Sequence, residues 1–324
     1  MKRLFVAALS LAVPMAVFGD TVFDDTFGSG STLNTANTTP SGGNSTGYQV
    51  ASTKSASSSL NPGDLQMSFA STSSGLAELQ ALFTTSPVTL ASVGDSITLS
   101  ITFKDTSGLL IGGSSFLSGG LYNSGGAGPV ASGGLAASGL AGTALPTGNA
   151  AGWNGYIGRI NGNGNSSQIA LRAAQVGATN NAAQDLVGNG FSTTGGYHNP
   201  TGTALHSATS AVGTLTTGDT FNYTLSYTLS AAGTLTIADS LTDTTLSSLL
   251  FSDSATATGA SLLTTTFDGL AFGDRTATTG VANTIDFNEI LITDNIQSVP
   301  EPSTLAVAAV GGLFGLVFLG RRRS

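Results

Sequence analysis

Along most of the chain, apolar and polar residues alternate singly in short runs that close on Gly, Asn, Asp or Pro. A period of two marks strands with one buried and one wet face, because successive side chains of a strand point to opposite sides. "SITLSITF" is the cleanest run, with Ile97, Leu99, Ile101 and Phe103 on one face and Thr98, Ser100 and Thr102 on the other. "TFNYTLSYTLSAAGTLTIAD" repeats the pattern on either side of "SAAG" and predicts a β-hairpin, with Phe221, Tyr223, Leu225, Tyr227 and Leu229 leading in and Leu235 and Ile237 leading back. "NTIDFNEILITD" predicts a last strand whose phase changes around Asn288 and Glu289, the mark of a bulge.

Further strands are expected at "YQVAST", "LQMSFA", "FLSGGLYN", "GYIGRI", "QIALRA" and "TTTFDGLAFG". "GLAELQALF" fits a helix face through Leu76, Leu79, Leu82 and Phe83, and a strand through Leu79, Ala81 and Phe83; we read it as a strand. Residues 125–152 are almost entirely Gly, Ala, Ser, Leu and Pro, too poor in strand formers for a central strand, and are expected to be a long surface loop. "NGNGNSSQ" reads as a tight turn between two strands. About a dozen short strands over residues 20–298 predict an all-β body, an antiparallel two-sheet β-sandwich.

Composition agrees, with 40% hydrophobic residues and 16 Phe to build a core and only 9% charged residues. The formal net charge of −8 understates the body, because five of the ten basic residues lie in the terminal segments. Between Asp20 and Ser298 five basic side chains face seventeen acidic ones, a net charge of −12, and that surface repels nucleic acid. The absence of cysteine excludes disulfides, thiol catalysis and cysteine-held metals.

The ends differ from the body. Lys2 and Arg3, an apolar run from Leu4 to Phe18 and small Gly19 make the three parts of a secretory signal, a helix over residues 1–19 with cleavage expected after Gly19. The secretion translocon and signal peptidase are the partners this implies. At the other end no charge occurs from Pro302 through Gly320, so residues 303–320 are expected to form a transmembrane helix, with Arg321, Arg322 and Arg323 holding the C-terminus in the cytoplasm. Gly311 and Gly315 give it a GxxxG spacing.

The order Val299, Pro300, Glu301, Pro302, apolar span, arginine cluster resembles the PEP-CTERM sorting signal of Gram-negative bacteria, here over residues 299–324. The resemblance implies an exosortase-like sorting protease as partner, a transient inner-membrane anchor, and a destination in the cell envelope or extracellular matrix beside exopolysaccharide. Two prolines hold Glu301 in an extended segment of the kind a protease binds. In the body, "SITLSITF", "GGLYNSGG", "GYIGRI", "GTLTIADSLTD", "FDGLAFG" and "IDFNEILIT" in that order resemble the concanavalin-A-like and laminin-G jelly rolls, whose members often bind sugars.

Candidate chemistry is sparse. His198 and His206 flank a Pro-Thr-Gly turn without a nucleophile arrangement or a helical zinc motif. Glycoside hydrolysis needs two carboxylates facing one cleft; Glu289 beside Asp286 is the nearest candidate, and a solvent-facing edge strand is the reading preferred here. A non-enzymatic protein is therefore expected. The jelly-roll resemblance implies a structural calcium where the first and last strands meet, which here would bring Asp24 or Asp25 near Asp286, with Asp268 a further oxygen donor. For a lectin-like body the candidate stacking rings are Trp153, Tyr156, Tyr122 and Tyr197, each beside Gly or Asn turns; the alternative for Trp153 is a plug beneath the glycine-rich loop.

Overall fold

A computed structural model describes residues 19–28, 33, 48–52, 56–69, 75–108, 115–129, 150–161, 167–175, 185–187, 204–207, 215–276 and 283–296. The predicted signal segment through residue 18, residues 130–149 of the glycine-rich loop, Tyr197, His198 and residues 297–324, which hold the proline-flanked glutamate, the apolar run and the arginines, lie outside the described residues. Among the described residues, no helix is long and apolar enough to cross a membrane.

The strands are β1 (Asp20–Asp25), β2 (Gln49–Ser52), β3 (Ala56–Asn61), β4 (Asp64–Phe69), β5 (Gly75–Leu82), β6 (Val88–Thr89), β7 (Ser96–Asp105), β8 (Ser115–Asn123), β9 (Asn154–Asn161) and β10 (Ser167–Arg172). They continue as β11 (Ala204–Ser207), β12 (Thr220–Ala231), β13 (Thr234–Asp243), β14 (Ser248–Thr258), β15 (Thr266–Phe267), β16 (Gly269–Thr276) and β17 (Asn283–Asn295). An eight-stranded sheet has the order β14-β13-β12-β7-β17-β4-β3, with β1 also on β17; a seven-stranded sheet has the order β11-β10-β9-β8-β16-β5-β2; β6 and β15 form a short ribbon. Every pairing is antiparallel.

The two sheets face each other across one apolar core. Ile97, Leu99, Ile101 and Phe103 of β7, and Phe221, Tyr223, Leu225 and Tyr227 of β12, are buried against Leu79, Leu117, Leu121, Tyr156, Ile160, Leu270 and Phe272 of the other sheet. The ring of Phe272 meets that of Phe287 edge-on at 5.1 Å between the sheets. Each alternating run quoted above is a strand, and "GLAELQALF" is β5, with Ala77, Leu79, Ala81 and Phe83 in the core.

The β12–β13 hairpin turns at Ala231 to Gly233, where Gly233 has φ +71°, a left-handed conformation that favours glycine. In β17 the register against β7 slips between Phe287 and Glu289, and that bulge lets both Phe287 and Ile290 face the core despite their odd spacing. The expectation that this strand forms an edge does not hold. β17 is central, paired with β7 on one side and with β4 and then β1 on the other.

Candidate functional site

Two polar clusters stand out, and neither is where the aromatic residues were expected to work. The first lies on the outer face of the seven-stranded sheet, where residues 124–129, 150–153 and 185–187 add a partial second layer. There Tyr122, Ala150, Trp153, Ile157, Leu186, Val187 and Ala271 form an apolar cluster separate from the main core. Trp153 is fully buried, 6.1 Å from the Tyr122 ring between centroids, and its indole N–H donates to the Ala127 carbonyl at 3.0 Å. The Tyr122 hydroxyl donates to the Leu186 carbonyl at 2.9 Å. Gly269 lies directly beneath the indole, and a Cβ there would sit 2.6 Å from Trp153 Cζ3.

Glu78, on the outward phase of β5, anchors this layer. Its carboxylate accepts the Leu186 N–H at 3.1 Å, the Val187 N–H at 3.4 Å and Gln80 Nε2 at 2.6 Å. Burial pushes its pKa well up, the charge and hydrogen bond of Asp185 push further, and the Gln80 and Leu186 bonds pull back. Arg172, buried at the end of β10, donates to the Asp185, Trp153 and Ala173 carbonyls. Burial lowers its pKa, while Tyr122, Asp185 and Glu78 act to raise it. These side chains clamp backbone to sheet, so their hydrogen-bonding capacity is directed at the protein itself.

Tyr156 is also buried, but on the opposite face of the same sheet, in the main core. Its hydroxyl accepts the Leu263 N–H at 2.8 Å and donates to the Thr264 carbonyl at 3.2 Å. The stacking platform expected of Trp153, Tyr156 and Tyr122 is thus corrected: the sheet separates Tyr156 from the other two, and none of the three presents a face to solvent. For Trp153, the plug alternative is the one found.

The second cluster sits where β13 and β14 meet β10 and β11 across the sandwich. Asp239 and Asp253 are direct cross-strand partners, both directed toward the other sheet. The Tyr223 hydroxyl donates to Asp239 at 2.9 Å and Ser167 Oγ donates to Asp253 at 3.1 Å. Half-exposed His206 places Nδ1 2.7 Å from the Asp253 carboxylate. Burial raises the pKa of Asp239 to about 7; the Tyr223 bond opposes that shift and the Asp253 charge adds to it. Because Ser167 donates to the aspartate and not to the imidazole, the group lacks the relay of a serine nucleophile. The sequence did carry a signal for this cluster: in "TLTIADSLTD" Asp239 falls in the apolar phase between Ile237 and Leu241.

The carboxylates assigned to calcium do not converge. β1 does pair with β17, but Asp25 is level with Ile290 and Asp24 with Leu291, while Asp286 is level with Gln66 of β4. Asp25 is buried and accepts the Phe27 N–H at 2.8 Å, Asp24 is exposed on the other face, and Asp286 accepts Gln66 Nε2 at 2.9 Å. Asp268 is held by the Ser124 N–H and hydroxyl, both at 2.7 Å. No group of three His, Cys, Asp or Glu side chains suited to a metal ion occurs among the described residues, so this set does not fit calcium. Glu289 faces outward and accepts the Thr102 hydroxyl at 3.3 Å.

The outer face of β12, β13 and β14 carries a trough of about 460 Å³ lined by Thr224, Ser226, Ala238, Asp239, Ser240, Ser252, Asp253 and Ser254. Its side chains are mostly short hydroxyls, some already paired, as Thr224 with Ser240 at 2.6 Å.

Fold and clusters together define an antiparallel two-sheet sandwich whose layers are joined by buried, hydrogen-bonded polar side chains. Residues 298–323 match the PEP-CTERM protein-sorting motif, so the chain carries this sorting signal and is of the exported kind. Among curated proteins none matches the sequence. Solved structures of similar fold include peanut lectin (11% identity, 78% of this chain and 93% of that chain, TM-score 0.39) and lectin II from Ulex europaeus (12%, 76% and 93%, TM-score 0.38). Another is the endo-1,3-β-glucanase from Streptomyces sioyaensis (15%, 89% and 100%, TM-score 0.45).

Proposed function

We propose that the chain is an exported, non-enzymatic protein of the cell envelope or extracellular matrix, processed at Pro300, Glu301 and Pro302 by an exosortase-type protease and retained beside exopolysaccharide. The sorting motif over residues 298–323 carries this reading. The state of the body's acids supports its non-enzymatic part. Glu78 is committed to backbone amides, Asp239 and Asp253 face each other inside the sandwich, and Asp286 and Glu289 are engaged by Gln66 and Thr102. The test follows the full chain through cell fractions. With the motif intact it leaves the membrane fraction in shortened form; with Pro300, Glu301 and Pro302 all changed to Ala it stays there at full length. Equal distribution of the two would overturn the proposal.

The trough on β12 to β14 favours a second reading, a carbohydrate-binding body. Closely spaced hydroxyls without a charged side chain on the outward phase suit the hydroxyl groups of a neutral glycan. Saturable binding of the chain to its producer's purified exopolysaccharide, lost in Ser254→Phe and kept in the parent, would support it. Equal binding by both proteins would remove the trough from consideration.

A further inference from the structure

Both ends of the described body lie at one rim of the sandwich. Asn295, the last residue of β17, is level with Ser96 of β7, Ser96 with Thr228 of β12, and Thr228 with Thr236 of β13, beside the β12–β13 turn. Asp20, the first residue of β1, is level with Asp294. The connection from β6 to β7 closes the same rim, where the Gly94 N–H donates to the Leu229 carbonyl at 2.8 Å and the Leu229 N–H to the Asp95 carbonyl at 3.0 Å. Two large apolar side chains are exposed here, Val93 at 55% and Ile296 at 37%. The other two found exposed among the described residues, Leu246 at 66% and Leu249 at 51%, lie at the far rim, next to Asp243, which is level with Phe221 and through it with Phe103.

The sorting motif begins at residue 298, almost directly after β17 ends. Even fully extended, the chain from Asn295 to Glu301 reaches only about 21 Å at ~3.5 Å per residue, less than the ~30 Å diameter of a small domain. β17 supplies no slack, because it is hydrogen-bonded to β7 through Asn295 and to β1 through Asp294. An enzyme that holds residues 300–302 in its active site is therefore brought against this rim.

Resting on the reading of Pro300 to Pro302 as the processing signal, we infer that the rim formed by Val93, Ile296, Asp20 and Asp294 is a docking surface for the membrane-bound protease that reads the motif. The matching surface on that partner is an apolar depression bordered by basic side chains. The body then contributes to recognition as well as the peptide, and the rim with Leu246 and Leu249 points away from the membrane.

The experiment follows C-terminal processing of the full chain over time in cells that hold the sorting protease, with melting temperatures confirming that each variant folds. The double variant Val93→Asp, Ile296→Asp is expected to be processed about tenfold more slowly, the order lost when apolar interface contacts are removed. A ten-residue Gly/Ser insertion between Ile296 and Gln297 is expected to slow processing similarly, because it separates motif from rim. Leu246→Asp with Leu249→Asp is expected to leave the rate unchanged. Parental rates for the Val93, Ile296 variant and the insertion, with Glu301→Ala blocking processing, would show that the motif alone is read and overturn the docking surface only. Normal processing of Glu301→Ala would overturn both this inference and the sorting proposal on which it rests.

Discussion

Asp239 ties the stability of the fold to pH below neutrality. Asp253 of β14 faces it on the neighbouring strand, Tyr223 of β12 donates to it, and Ser167 of β10 and His206 of β11 close the cluster from the other sheet. With its pKa raised to about 7, the folded state keeps a proton that the unfolded chain has already released near pH 4. Between those values the folded state binds more protons than the unfolded one, so stability falls as pH rises from about 4 to about 7 and is level above. The loss is on the order of 4 kcal/mol at most, at ~1.4 kcal/mol for each of about three pH units. Asp239→Asn keeps an acceptor for Tyr223 and carries no charge at any pH. Urea unfolding at pH 4.5 and pH 8 should show a clear drop in midpoint for the parent and a much smaller one for the variant, which should be the more stable protein at pH 8. Equal slopes in both would place the proton elsewhere. Trp153 makes a different prediction at the same scale. Buried on Gly269 and Tyr122, it should cost about 3–5 kcal/mol when changed to Ala, read as a shift in the same unfolding curves.

At the scale of elements, the glycines of β9 show how one strand is shaped by residues across the core. A Cβ on Gly158 would lie 2.0 Å from the Tyr223 hydroxyl and 2.9 Å from Leu225 Cδ1, so this position must stay bare for β12 to pack against β9. Gly158→Ala should destabilise by about 1–3 kcal/mol, the usual cost of overpacking. Part of that cost comes from displacing the hydroxyl that bonds Asp239. In a Tyr223→Phe background the penalty of Gly158→Ala should therefore shrink, and a double-mutant cycle in urea would measure the coupling.

Such cross-core constraints lie beyond what alternation can show, which explains which parts of the fold were legible. β7, the β12–β13 hairpin, the bulge in β17 and β5 are visible because a strict period of two, or one clear break in it, is written in Ile, Leu and Phe. β14 was missed. Its Leu250 and Phe251 are both buried, the register slips opposite Leu241 and Thr242, and Asp253 occupies an inward position, so "SLLFSDSATAT" has no clean phase. β3 is dominated by serine and β11 has four residues, too little pattern in either case. The aromatic residues misled because Gly and Asn neighbours suggested exposed turns. In the fold, Gly120 and Gly155 make room for the Tyr122 ring and for close strands, while the glycine beneath Trp153 is Gly269, distant in sequence. The acid clusters of the clamp and of the Asp239 corner join residues distant in sequence, and only Asp239 left a trace in its own strand.

At the scale of the whole molecule, the chain is built as one core between two sheets with a smaller apolar layer outside one of them, and its single tryptophan lies in that layer. Trp153 fluorescence therefore reports the outer layer, while far-ultraviolet circular dichroism reports the sheets. If the layer were a loosely attached cover, fluorescence would change at lower denaturant than the sheet signal. The contacts argue otherwise: the indole rests on the backbone of β16 at Gly269, Glu78 of β5 holds the Leu186 and Val187 amides, and Arg172 of β10 holds the Trp153 carbonyl. Removing the layer would break these hydrogen bonds and expose the apolar cluster of Tyr122, Trp153, Ile157, Leu186 and Val187 to water, a cost that ties the layer to the sheets. The two signals should follow one transition in urea at pH 7. In Glu78→Ala, which frees both amides and leaves Arg172 without that carboxylate nearby, the fluorescence change should come first and the sheet signal should follow at higher denaturant. Separate transitions in the parent protein would instead make the outer layer an independent unit, and the clamp of Glu78 and Arg172 a local feature without a part in holding the molecule together.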